Sequence, residues 1–439
     1  MQFDVHYTKV LRYLATHENI RTVFVFDNAD QHDFAFQQEI FRLAHSVAGK
    51  CLAFSIVPMW EETYLRSKQG GALSAYSTSA YAIPPTSVVS ILDRRLEAIV
   101  EDLSTSESIA QRLVGTSAPY PDLSSFLTLV RNSIFFGYEE RRVRFFLESI
   151  AMGNLRKAME LFSQFLTSGH TDADKILFKY RETKGYRVPL HEVIKSIALG
   201  DFRYYHGDLS PVLNLYAISD EARPSHFTKT RLIAYLSHHR HHSSTFGLGF
   251  VRTDILKDEF QKIGTSPIDL VESLKLLSQK SLVENDLYEK DEIGSAYRVT
   301  PAGRYYIRFL AVRFSYLDLV LQDTPIADQR VVSTIGHLLD NRDLAGRFER
   351  VEAFLDYLIS EEAREYAAIA STSDSIPLRR KLVAEMLREY NTEKAYIRSR
   401  TIDRGRALDS EFTPYIVKES GDATCSPLKP TSDSTRQTN

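Results

Sequence analysis

Arg21-Thr-Val-Phe-Val-Phe-Asp-Asn-Ala-Asp-Gln31 sets the architectural class of this chain. Four apolar residues of high strand propensity, Val23–Phe26, run straight into Asp27, and a second carboxylate follows at Asp30. A short continuous apolar run of this kind reads as a parallel strand buried on both faces. A buried strand that delivers a carboxylate at its end is suited to holding a magnesium ion against nucleotide phosphates. On this reading Asp27 ligates the metal, directly or through water, and Asp30 orients an attacking water. The competing reading is a plain polar turn after a strand, and the local sequence does not separate the two.

The flanks extend the pattern. Val5, Val10, Leu11 and Leu14 recur at helical spacing, so the first twenty residues predict an amphipathic helix. After Asp27 come a loop at Asn28–Asp33 and a helix through Phe36, Ile40, Phe41 and Ala44. Lys50-Cys-Leu-Ala-Phe-Ser-Ile-Val-Pro58 is a second apolar run short enough for a buried strand. Strand, helix and strand make one right-handed crossover unit of an α/β sheet. Two prolines in Ala82-Ile-Pro-Pro-Thr86 exclude a continuous helix there.

From Ser87 the pattern turns helical for a long way. Leu92, Leu96 and Ile99 form one apolar face, Phe126, Leu129, Val130 and Ile134 another, and Phe145, Phe146, Ile150 and Leu161 a third. Gly153-Asn154 interrupts the third, with Gly153 suited to end one helix and Asn154 to cap the next. Between about 228 and 315 three short helices are expected at Thr230–Ser237, Ile255–Phe260 and Ser266–Gln279. A two-stranded ribbon follows, Leu282–Glu284 and Ala296–Val299, and Thr300-Pro-Ala-Gly303 opens a last helix. Three helices and a ribbon are the winged-helix arrangement.

Composition narrows the function classes. With 54 basic and 57 acidic residues the net charge is -3, which implies no global attraction to nucleic acid or to acidic membrane. Two cysteines, Cys51 and Cys425, are too few for a disulfide framework or a zinc site. Asp4, His6 and Lys9 interrupt any signal-like apolar run, and no stretch reaches the ~18 apolar residues of a membrane helix. The expectation is a cytoplasmic protein with no membrane partner.

Other motifs carry less. Gly49-Lys50 has Ala44 in place of a first phosphate-loop glycine and Cys51 in place of a magnesium-directed hydroxyl, so it reads as a turn. His238-His-Arg-His-His242 reads as a solvated helix end rather than a metal tract, because Arg240 sits in its middle and no second ligand cluster is at hand. Arg141-Arg-Val-Arg144 is a small basic run, read as a solvated helix face with an intersubunit phosphate contact as the alternative. The third helix of the winged-helix segment offers Asp269, Glu272, Lys275 and Lys280, a balanced surface with no base-reading side chain early in the helix. Its wing, Glu284–Glu292, is acidic and would repel phosphates. Specific DNA binding is therefore the second choice, behind a packing or protein-contact role.

Together these segments resemble the STAND class of AAA+-like P-loop ATPases, in particular large bacterial members of defence and signalling systems. The points of match are Val23–Asp27 with Asn28, Asp30 and Gln31, then Ser55-Ile-Val-Pro-Met-Trp-Glu-Glu-Thr-Tyr64, and Ala82–Pro85 through Arg94-Arg95. Gly153-Asn-Leu-Arg-Lys-Ala158 and Tyr297-Arg-Val-Thr-Pro-Ala-Gly303 complete them. The resemblance implies ATP and Mg2+ as cofactors, Asp27 at the Walker B position and Arg156 as the lid arginine that reaches the γ-phosphate. Two features depart from it: the sequence holds no Gly-x-x-x-x-Gly-Lys-[Ser/Thr], and Pro58 stands where relatives often carry arginine. The resulting expectation is the C-terminal part of such an ATPase, a nucleotide-dependent switch that does not hydrolyse ATP alone. Its partner would be a missing N-terminal ATPase half or another copy of itself. The expected fold class is an α/β fragment of a P-loop ATPase core followed by mostly α structure. Its domains are a residual α/β core at 1-85 and a helical lid region at 86-227. A winged helix at 228-315, a helical extension at 316-417 and a disordered tail at 418-439 follow.

Overall fold

The computed structural model describes residues 5–76, 78–83, 87–105, 120–135, 141–183, 188–219, 225–287, 293–341 and 343–402. The chain divides into two units, Met1–Lys394 and Ala395–Asn439. The sequence-based boundaries after 85, 227 and 315 all fall inside the first unit, and the expected tail at 418-439 lies outside the described residues. Most of the described residues are helical.

The first segment holds helix α1 (Val5–His17), strand β1 (Val23–Val25), α2 (Phe34–Cys51), strand β2 (Phe54–Ile56) and α3 (Glu61–Gly70). β1 and β2 pair in parallel across α2, with Val23 opposite Phe54 and Val25 opposite Ile56, so the expected crossover unit is present. Two local expectations are corrected. Gly49-Lys50 is helical rather than a turn, because α2 continues to Cys51 and ends on Leu52 in the left-handed conformation, φ 53°. The strands are also not buried on both faces. Val23, Val25, Phe54 and Ile56 are each more than half exposed, since among the described residues the sheet has two strands and α2 packs on one side of it.

The helical region follows with α4 (Val88–Thr105), α5 (Tyr120–Phe135), α6 (Arg141–Ala151), α7 (Leu155–Thr167), α8 (Ala173–Thr183) and α9 (Leu190–Leu199). Pro84–Thr86 of the proline turn lie outside the described residues. α4 packs on α5, α5 on α6 and α8, and α7 on α6 and α9. Their apolar stripes meet in a core that includes Leu92, Leu96, Leu129, Ile134, Phe146 and Phe165. The break between α6 and α7 follows the sequence closely. Gly153 takes φ 76°, and Asn154 caps α7 by accepting a hydrogen bond from the Lys157 N–H at 3.1 Å.

Next come α10 (Thr228–His238), a small hairpin of β3 (Ser243–Ser244) and β4 (Gly247–Leu248), β5 (Val251–Arg252), α11 (Thr253–Lys262) and α12 (Pro267–Gln279). β6 (Val283–Asn285) and β7 (Ala296–Val299) then complete a three-stranded antiparallel sheet of order β5-β7-β6. Ser266 caps α12 ahead of Pro267, and Thr300 caps α13 (Pro301–Tyr305) ahead of Pro301, each accepting from the third residue on. Gly303 is required where it stands, because a Cβ there would lie 2.2 Å from the Leu282 carbonyl oxygen. A π-helical turn, Tyr306–Leu310, continues α13.

The chain closes with α14 (Phe314–Val320), α15 (Gln329–Leu338), α16 (Leu344–Thr372) and α17 (Leu382–Ile402). α14 and α16 pack on each other, and Phe314, Phe348, Phe354 and Tyr390 are buried. An irregular segment, Val212–Tyr216, also runs through this core with every residue buried. Buried backbone outside helix and sheet must find other hydrogen-bond partners. Here tyrosine hydroxyls serve: Tyr306 accepts from Leu213 N–H at 3.0 Å, Tyr316 accepts from Leu215 N–H at 2.9 Å, and Tyr205 donates to the Val212 carbonyl at 2.6 Å. No helix among the described residues is long and apolar enough to cross a membrane.

Candidate functional site

The carboxyl ends of the two parallel strands carry the chemistry that the sequence singles out. Past β1 the ladder continues for one bond, Phe26 N–H to Ile56 O at 2.9 Å, and the chain then turns away. Asp27 is exposed, and its Oδ1 accepts the Asn28 N–H at 2.9 Å. Asn28 is left-handed, φ 61°, a conformation that asparagine tolerates better than most residues. Its side-chain oxygen accepts from Gln31 Nε2 at 2.9 Å, closing a one-turn 3-10 helix, Ala29–Gln31. Asp33 then caps α2, accepting the Phe36 N–H at 2.9 Å.

Asp30 reaches across to the second strand. Its Oδ2 accepts the backbone N–H of Trp60, the residue that caps α3, at 3.2 Å. One carboxylate thus ties the turn after β1 to the start of the helix after β2. The amino ends of α2 and α3 therefore open onto the same end of the sheet, and each is the positive pole of its helix. Arg66 of α3 lies 4.1 Å from the centroid of the Phe34 ring at the start of α2. The turn can offer the Asp27 carboxylate to a hydrated divalent cation, with positive helix ends beside it for an anion. Asp30 uses Oδ2 to hold the two ends together, and its carboxylate keeps further acceptor sites for a water. Among the described residues no group of three or more His, Cys, Asp or Glu side chains is arranged to hold a metal by itself.

Arg156 stands apart from this turn. It lies in the first turn of α7, two residues beyond the Asn154 cap, and is exposed. No hydrogen bond or ion pair joins it to Asp27 or Asp30. The structure brings together the two aspartates and leaves the arginine on the helical region. What sequence reasoning misses is the Trp60 N–H and Arg66. The only signal for either is that a helix starts directly after the second strand.

The segment from α10 to β7 corrects the expected surface. Asp269 is buried, not solvent-facing: its oxygens accept from Thr228 Oγ1 and from Ser273 Oγ, the latter at 3.2 Å. Lys280 is half-buried and donates to the Ser210 carbonyl at 2.7 Å. The outward face of α12 is led by Ile268, 64% exposed, with Glu272 and Gln279. Glu284 of the acidic stretch is paired with Arg298, and residues 288–292 of that stretch lie outside the described residues. The histidine tract is a helix end as read, with α10 stopping at His238 and the His239 ring in contact with those of His238 and His242. No family model matches the chain, and no curated protein or solved structure does so either.

Proposed function

We propose that this chain is part of a STAND or AAA+-like ATPase that works as a nucleotide-dependent switch in bacterial signalling or defence. The observation that carries the reading is the parallel β1–α2–β2 unit with Asp27 and Asp30 at its carboxyl end, where open α/β sheets bind their ligands. Asp27 is the residue to hold magnesium, Asp30 orients the attacking water while tying the turn to α3, and Arg156 is the lid arginine that would approach only when ATP is bound. ATP phosphates need a loop of backbone N–H groups and a lysine, and the 439 residues hold no such motif. That loop therefore comes from a partner polypeptide or a further segment. The more-than-half exposed row Val23, Val25, Phe54 and Ile56 supports a sheet that is completed from outside.

Helices α10, α11 and α12 with the antiparallel sheet β5-β7-β6 support a winged helix as the second module. A DNA-binding regulator is the second reading, on that fold alone. Buried Asp269, exposed Ile268 and the Glu284–Arg298 pair favour a protein contact there instead.

Calorimetric titration of the 439-residue chain with ATP and magnesium is expected to show no micromolar binding. Micromolar, magnesium-dependent affinity that disappears in Asp27→Ala would mean that the chain holds a complete nucleotide site, and the supplied-loop reading would fall.

A further inference from the structure

The basic run Arg141–Arg144, unexplained by the switch reading, gains a partner in the fold. α6 packs against α13, and this brings the run beside a second one about 160 residues further on. Residues 141–151 and 301–313 together hold six arginines and one carboxylate, Glu148, in a chain whose net charge is -3. Two more glutamates, Glu139 and Glu140, precede α6 outside the described residues, and Glu393 pairs with Arg313 at 3.6 Å.

Aromatic rings sit among these arginines. Phe145 is 46% exposed and Phe309 38% exposed. Their ring centroids are 5.4 Å apart and nearly perpendicular, and both rest on buried Tyr305, at 5.0 Å and 5.8 Å. The π turn Tyr306–Leu310 places Phe309 there. Such turns are frequent at functional sites because the extra residue re-aims a side chain. Arg142 is three residues before Phe145 on the same helix face, while Arg304 and Arg308, one turn apart, each stand one position before a ring of the cluster, Tyr305 and Phe309, on the neighbouring strip of their helix. Burial raises the Tyr305 phenol pKa, and the positive charges of Arg313 and Arg142 oppose that rise.

We propose that this face binds single-stranded nucleic acid, with phosphates on Arg142, Arg304 and Arg308 and bases stacked on Phe145 and Phe309. Guanidinium groups alone would suit any polyanion. Exposed phenyl rings between them select a polyanion with planar, unpaired rings, which a duplex keeps inside its stack. Arg142 and Arg308 already engage neighbours within the protein, so an arriving phosphate exchanges with those contacts. The inference is independent of the nucleotide switch, since none of these residues belongs to the β1–β2 end.

The test is fluorescence anisotropy of the full chain with labelled 20-nucleotide oligo-dT, a 20-nucleotide RNA, a 20-base-pair duplex and polyglutamate. Single strands are expected to bind at 50 mM salt and to weaken about twentyfold at 200 mM, as three phosphate contacts require. Phe145→Ala with Phe309→Ala should weaken single-strand binding by about tenfold or more at an unchanged salt slope. Arg304→Gln with Arg308→Gln should flatten the slope. Phe309→Trp, which keeps a stacking surface, should retain binding and so guards against mere misfolding of the alanine variant. Absence of single-strand binding at 50 mM salt would overturn the proposal. Equal affinity for duplex would do the same, as would stronger binding of polyglutamate, which would make the face an acidic-protein site.

Discussion

Asp318 shows how much one buried charge can organise. It is 4% exposed and accepts from Arg350 Nε at 2.6 Å and Arg347 Nε at 2.9 Å. Arg350 turns its other side to the end of α15, donating to the carbonyls of Leu338, Leu339 and Asn341 at 2.8–3.1 Å. Three helices, α14, α15 and α16, thus meet on one carboxylate. Asp318→Ala would leave a guanidinium buried without its counter-charge, so a loss of about 3–5 kcal/mol in urea unfolding is expected. A loss under about 1 kcal/mol would show that the arginines find other partners. Lys229 is the opposite case, a buried ammonium with no carboxylate bonded to it among the described residues. Its Nζ donates to the Ala217 carbonyl and to Ser219 Oγ at 2.9 Å. Burial pushes its pKa down to about 8, and the negative charge of Asp269 only partly opposes that. The folded value lies below the ordinary 10.5, so its contribution to stability is full above 10.5 and is lost as pH falls toward 8. Between pH 8 and 9.5 the protein should gain about 2 kcal/mol relative to Lys229→Met. Parallel pH dependence of the two proteins would remove Lys229 from the account.

At the scale of elements, the two sheets differ in how they are supported. β1 and β2 are three residues each, pair only with one another among the described residues, and leave Val23, Val25, Phe54 and Ile56 exposed. The β5-β7-β6 sheet is flanked by α10 and α12, and Val283, Ala296 and Tyr297 are buried within it. Short parallel strands with both edges open lose their hydrogen bonds by local fluctuation. Amide hydrogen exchange should therefore be faster over residues 21–56 than over 251–299. Equal protection would mean that the first segment is a complete domain as it stands. The strand, helix and cap signals were legible at this scale. Asn154, Ser266 and Thr300 cap the helices that the sequence places after them, and the crossover between β1 and β2 is present. Burial of the strands was misread, because the continuous apolar run Val23–Phe26 announces two covered faces, whereas Val23 and Val25 stay more than half exposed.

For the molecule as a whole, the weak overall charge sets the long-range behaviour. At net -3 there is no field to draw in duplex DNA, and α12 presents Ile268, Glu272 and Gln279 rather than a cationic reading face. Electrophoretic mobility shift at about 150 mM salt should show no sequence-selective retention of duplex. Selective binding lost in Lys275→Ala would move the regulator reading to first place. Local signals of periodicity, capping residues and apolar runs were enough for the β1–α2–β2 unit and for most helices, because they depend on neighbours within a few positions, but they missed β5 and the β3–β4 hairpin, whose two-residue strands are too short to show a pattern. They also sufficed to mark Asp27 and Asp30 as a pair on one turn. Side-chain partnerships across long separations were settled only in three dimensions: Asp30 with the Trp60 N–H, Asp269 buried beneath Thr228, and Phe145 beside Phe309. Such contacts follow from how the helices pack, and packing is a property of surfaces that residues far apart in the chain build together.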